Sequence, residues 1–206
     1  MIKLGFLASN NGSSMRAIIA ACEAGVLAAT PVLAVSNRAQ APALAFGRQH
    51  GVATLVIPTA KAPASADRRL AEAFSGAGAD LVVLSGYLRK LGPITLERFA
   101  GRVLNIHPAL LPRFGGPGMY GRAVHTAVIA AGETVSGASV HLVDGDYDHG
   151  AVVAQRECVI FESDTPETLE ARVMALEAGL FVETLQRIVS GVLRPPGLKS
   201  PPLDFA

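Results

Sequence analysis

The chain has 206 residues, half of them hydrophobic and 17% charged, with a formal net charge of +1 at pH 7. That length suits one domain with one substantial core, and the composition excludes a disordered chain. No run of Lys or Arg reads as a nucleic-acid footprint, so no nucleic-acid partner is expected, and any anionic ligand must be met locally. The N-terminal "LGFLA" gives way to polar "SNNGSS" too soon for a signal peptide or a membrane span, which points to a cytoplasmic protein. Cys22 and Cys158 form no CxxC pattern and read as small hydrophobes.

In chain order, "IKLGFLAS" (2–9) is an apolar run that stops at "NNGSS", after which Met15, Ile18, Ile19 and Cys22 fall at helical spacing as far as Gly25. Strand, tight loop and helix follow from that pattern. The alternation continues with a strand at 31–36, a helix within 41–50, a strand at 53–58, a helix near 65–76, and strands at 80–87 and 102–108. Short, nearly all-apolar strands separated by helices predict a parallel sheet covered on both faces. After a Pro- and Gly-rich stretch (108–121), residues 121–131 read as helix, and 135–143 and 151–160 as strands. Only seven residues, "DGDYDHG", join those strands, too few for a helical crossover, so the pair is expected as an antiparallel hairpin. Thr165 is the expected N-cap of a last helix with Pro166 at its first position and a buried stripe of Leu169, Val173, Leu176 and Leu180. The tail "RPPGLKSPPLDFA" is expected to wrap or fray. The expected fold is α/β: a single domain, 1–206, with a doubly wound, mostly parallel sheet, helices on both faces and a C-terminal antiparallel hairpin.

Ligands of an open parallel sheet bind beyond the carboxyl ends of its strands. That rule gathers "SNNGSS", "GYLRKLG" and "NIHPALLP" at one edge. Asn105 and His107, at i and i+2 in a strand, point to the same face. A lone His at a strand end is more often a satisfied structural group, but an amide donor beside an imidazole suits an oxyanion formed during acyl transfer. A structural reading suffices for His50 and His125, whereas His141 either lines the site or packs behind it. Asp144, Asp146 and Asp148 alternate as in a calcium loop, yet His149 stands at the turn glycine and Gln155 at the bidentate glutamate. Zinc spacing is missing too, so no metal is predicted. One of these aspartates is better placed to orient His107 and favour its charged form. "NNGSS" at a helix N-terminus is a natural phosphate cradle, without the glycine pattern of a dinucleotide fold or the Gly-Lys-Ser/Thr of a P-loop. "GLKS" near the C-terminus follows no strand and opens no helix. Glu177 is either a solvated flank residue or one that reaches a ligand hydroxyl.

"NIHPALLP", the glycine loop and "SVHLVDGDYDHG", in this order, resemble the folate-dependent formyltransferases over roughly residues 2–190. The resemblance implies the formyltransferase fold and transfer of a formyl group from 10-formyltetrahydrofolate to the primary amine of glycinamide ribonucleotide, a step of purine synthesis. It implies Asn105, His107 and Asp148 as the catalytic trio. It likewise implies Asn11, Gly12, Ser13 and Ser14 as the phosphate loop, Glu177 as a ribose contact, and Leu88, Arg89, Leu91, Val143 and Asp144 as the folate pocket. The chain departs from the family at the phosphate loop, commonly Gly-Asn-Gly-Ser-Asn, where Asn10 replaces the first Gly and Ser14 the last Asn. Pro63 stands where an Arg often assists the phosphate, leaving Lys61, Arg68 and Arg69 as substitutes, and Ala109 replaces a frequent Ser. Relatives acting on methionyl-tRNA or amino sugars carry a further C-terminal domain, and formyltetrahydrofolate deformylases an N-terminal one, so length favours the ribonucleotide reading. A deformylase without that domain, a different small amine acceptor and a non-catalytic nucleotide-binding module are the alternatives, and both monomer and homodimer are compatible with the sequence.

Overall fold

A computed structural model, which describes residues 1–198, forms one seven-stranded sheet in the order β3-β2-β1-β4-β5-β6-β7. The chain runs β1 (Ile2–Ala8), α1 (Ser13–Glu23), β2 (Ala29–Ser36), α2 (Pro42–Gln49), β3 (Ala53–Val56), α3 (Pro63–Gly76) and β4 (Leu81–Leu84). It continues through α4 (Pro93–Arg98), β5 (Val103–His107), α5 (Arg122–Ala130), β6 (Val135–Leu142), β7 (Val152–Val159) and α6 (Pro166–Val189). The Pro-rich tail and "GLKS" fall outside the described residues from 199 onward. Strands β1 to β5 pair in parallel, while β6 is antiparallel to β5 and β7 to β6, as the short "DGDYDHG" connection predicts.

Side-chain alternation explains why the central strands are apolar throughout. Leu4, Phe6 and Ala8 of β1, with Leu81 and Val83 of β4, join a core completed by α1, α5 and α6. Leu7, Val82 and Leu84 point the other way, into a second core under α3 and α4. Gly5 has to be glycine here, because a Cβ would stand 2.5 Å from the Phe74 ring. Thr165 caps α6 as expected: its hydroxyl accepts from Thr168 N (3.4 Å), and its own N–H donates to the Thr168 hydroxyl (3.0 Å). Leu169, Val173 and Leu180 are buried on the α6 stripe, with Leu176 only half-buried. Among the described residues no helix is long and apolar enough to cross a membrane.

Two differences from the sequence reading bear on the cleft. Strand β4 stops at Leu84, short of the expected 87, because Ser85 turns its hydroxyl to accept from Met15 N at 2.9 Å and so joins β4 to the start of α1. Helix α4, which the sequence reading lacks, is six residues long, too short to show a helical period. It is held from outside: the carboxylate of Asp67 on α3, only 5% exposed, accepts from Ile94 N (2.8 Å) and Thr95 N (3.0 Å). After β1 the chain moves outward to β2 and β3, then returns to place β4 on the other side of β1. The crevice beyond the carboxyl ends of β1 and β4 is therefore the switch point where such sheets bind ligands. Asp67→Ala leaves two N–H groups without their acceptor, and should lower the unfolding free energy in urea by about 1–3 kcal/mol; a change within error would show that the carboxylate does not hold α4.

Candidate active site

The site is built on the register of β5 against β6, with Asn105 opposite His141 and His107 opposite Ser139, and Ser139 in turn opposite Gln155 of β7. Leu104, Val140 and Ala138 face the α6 core, so the alternation turns Asn105, His107, Ser139 and His141 to the opposite side. The 108–121 stretch lies over that side and forms neither helix nor strand. It is tied down by its main chain. The Ser139 hydroxyl donates to Ala109 O (2.6 Å) and accepts from Leu111 N (3.0 Å), while the Gln155 amide donates to Leu111 O (3.0 Å) and to Ser139 Oγ (2.8 Å). A Cβ on Gly137 would stand 2.8 Å from Leu110, so the loop lies close against the strands.

His107 is 3% exposed and both ring nitrogens face acceptors: Nε2–H donates to Phe114 O at 2.7 Å, and Nδ1 is 3.3 Å from Asp148 Oδ2. A doubly protonated ring satisfies both, whereas a neutral ring satisfies one. Burial pulls the His107 pKa below its usual value, opposed by the Asp148 charge and the Phe114 carbonyl. Burial raises the Asp148 carboxyl, but the His141 and His107 rings and the Gly116 N–H, at 3.1 Å from Oδ2, outweigh it and hold the group below the ordinary carboxylate range. His141 is also buried. Its Nδ1 is 2.8 Å from Leu142 O, and its Nε2 lies 3.0 Å from Asn105 Nδ2 and 3.5 Å from Asp148 Oδ1. Phe114 (φ 56°) and Asp148 (φ 55°) are the non-glycine residues with left-handed backbone among those described, and both meet His107. Each such conformation costs on the order of 1–3 kcal/mol and is held by its surroundings.

These groups open onto a cleft of about 520 Å³. Ser13, Ser14, Glu177, Leu88, Arg89, Leu91, Val143 and Asp144 line it, together with Asn105, His107 and Asp148. Asn11 and Gly12 lie outside its wall; Gly12 is the left-handed N-cap of α1, with φ 66°. Asn10 is held by Arg38, whose Nη1 donates to its Oδ1 at 2.8 Å, and Arg16 Nε donates to Asn11 O at 2.9 Å. Lys61, Arg68 and Arg69 do not line the cleft. The three aspartates go separate ways: Asp144 meets Asp146 N and His149, both at 2.9 Å, Asp146 pairs with Lys90 at 3.5 Å, and Asp148 serves the histidines. His125, for which a structural reading sufficed, is 1% exposed yet lines the cleft; its burial lowers its pKa. A His within the apolar stripe of Val124 and Val128 was the available signal. Burial pushes the Glu177 carboxyl up to about 7, and the nearby Glu170 charge adds to the shift.

A carboxylate-supported imidazole and an amide, side by side at the floor of a cleft, suit an acyl-transfer oxyanion. The chain belongs to the formyl transferase family, which it matches over residues 2–185. It is 38% identical over 189 residues to the chloroplastic phosphoribosylglycinamide formyltransferase of Arabidopsis thaliana, covering 90% of this chain and 65% of that protein's length. Identity to the phosphoribosylglycinamide formyltransferase of Escherichia coli K12 is 33%, over 97% of this chain and 96% of the other. The solved phosphoribosylglycinamide formyltransferase of Coxiella burnetii superposes with a TM-score of 0.85 at 37% identity, covering 92% of this chain and 88% of that one.

The raised Glu177 pKa has a measurable sign. The folded state binds the proton more tightly, so stability falls as pH rises from the ordinary 4.5 through about 7 and the full penalty holds above that. Glu177→Gln should therefore stabilise the ligand-free protein at pH 8 by no more than about 3 kcal/mol, and by little at pH 4. Urea unfolding at both pH values checks this, and an equal gain at both would contradict it.

Proposed function

We propose that this protein transfers the formyl group of 10-formyltetrahydrofolate to the primary amine of glycinamide ribonucleotide, acting as one cytoplasmic domain. The observation that carries the reading is the convergence of Asn105, His107 and Asp148 on a cleft that Ser13 and Ser14 also line. The names of the similar enzymes support the same substrates. In this reading Asn11, Gly12, Ser13 and Ser14 present the α1 N-terminus to the phosphate, and Glu177 meets a ribose hydroxyl. Leu88, Arg89, Leu91, Val143 and Asp144 hold the folate.

The amine lone pair attacks the formyl carbon, and the carbonyl electrons move to oxygen. Asn105 and His107 donate hydrogen bonds to that oxyanion, the substrate oxygen competing with the Phe114 carbonyl for the His107 Nε2 proton. Asp148 favours the charged form of His107 against the pull of burial, and assists transfer of the amine proton, through water, to the folate nitrogen as its bond to the formyl carbon breaks. No covalent enzyme intermediate is needed.

The test follows the absorbance change as 10-formyltetrahydrofolate, or its dideaza analogue, loses its formyl group, with and without glycinamide ribonucleotide. Turnover should require the ribonucleotide and fall by about 10²–10³ in His107→Ala. Turnover without an acceptor would instead make the protein a hydrolase, and none would remove the enzyme reading. Asp148→Asn should greatly lower kcat with unchanged binding of a folate analogue; normal kcat would exclude Asp148 from the mechanism.

A further inference from the structure

We infer that His141 is a positioning residue that fixes which end of the Asn105 amide faces the cleft. The inference rests on the transfer reading above, in which Asn105 acts as a hydrogen-bond donor. An asparagine amide has two ends of nearly equal shape, one with two donor hydrogens and one an acceptor. Asn105 can serve an oxyanion only if its Nδ2 end is held in place.

His141 supplies the bias. Its Nδ1 is 2.8 Å from Leu142 O, and a carbonyl only accepts, so the proton sits on Nδ1. With its proton on Nδ1 alone, the ring presents a lone pair on Nε2, 3.0 Å from Asn105 Nδ2, and takes one of the two amide hydrogens. The second hydrogen is left for the cleft, which both residues line. Turned the other way, the Asn105 oxygen would face that lone pair, acceptor against acceptor, in a half-buried setting. Asp148 Oδ1 also approaches Nε2, but at 3.5 Å, beyond good hydrogen-bond length, so the shorter contact to Asn105 takes the bond. A ring protonated on Nε2 would reverse this, donating to Asp148 and rejecting the amide hydrogens. The β5–β6 register that sets Asn105 opposite His141 makes the contact a cross-strand pair and not an accident of loop placement.

The test compares wild type, His141→Ala, His141→Gln, Asn105→Ala and the double variant Asn105→Ala/His141→Ala in the formyl-transfer assay. His141→Ala should lose about tenfold or more in kcat with KM for both substrates unchanged, the loss bounded by the roughly 10²–10³ of a whole oxyanion donor. His141→Gln, whose side-chain oxygen can accept the same hydrogen, should recover most of it. The double variant should be no slower than Asn105→Ala alone. Raised KM with normal kcat, no recovery in the Gln variant, or losses that multiply would overturn the inference. If Asn105→Ala falls to background, the side-chain amide resonances of Asn105 in ¹⁵N-labelled protein decide: they should shift in His141→Ala and return in His141→Gln, and unchanged resonances would overturn it. Inactive wild type would sink the transfer reading, while the resonances would still judge the contact.

Discussion

The antiparallel register of β5 on β6 is the constraint from which the site follows. Side chains alternate along a strand, so a slip of one residue would send Asn105 and His107 into the α6 core and turn Leu104 to the cleft face. Burial of Leu104 and Val140 against Leu169, Val173 and Phe181 makes that slip costly. The apolar half of each strand thus sets the position of the polar half. The same pairing brings Ser139 under the loop and His141 beside Asn105, so loop anchor and reacting groups share one origin.

Electrostatics within the cleft are local, as a net charge of +1 requires. Asp148 stands between two imidazoles and a backbone N–H, with the Gly116 N–H donating to it and His107 Nδ1 facing it at 3.3 Å. Glu177 is the counterexample, half-buried near Glu170 and held up to about 7, where it can donate or accept. Two carboxylates of one cleft are pushed in opposite directions by their surroundings, which separates their chemical roles.

Much of the fold was legible because its signals are short-range. Apolar runs, the brief hairpin connection and the Thr165 cap each need only a few consecutive residues, and Asn105 and His107 share a face by strand geometry alone. What escaped depends on distant partners. Helix α4 is fixed by Asp67 of α3, and no local period announces it. Gln155 stands in the sequence only as a failed calcium ligand, yet in the fold it ties down the loop. The Phe114 carbonyl that meets His107 is a backbone atom, invisible to any reading of side chains. Asn10, a departure from the family's phosphate loop, gains its partner Arg38 from the loop after β2.

The 108–121 loop is held at Ala109 O, Leu111 N, Leu111 O, Phe114 O and Gly116 N, all of them main-chain atoms. Of its exposed side chains, Arg113 adds an ion pair to Glu133, while Tyr120 takes no part in that attachment. Mutational drift at the cleft mouth can therefore proceed while the histidine and aspartate beneath stay in register. Selection for a different acceptor amine would find its raw material here, at positions where variation leaves the reacting groups undisturbed.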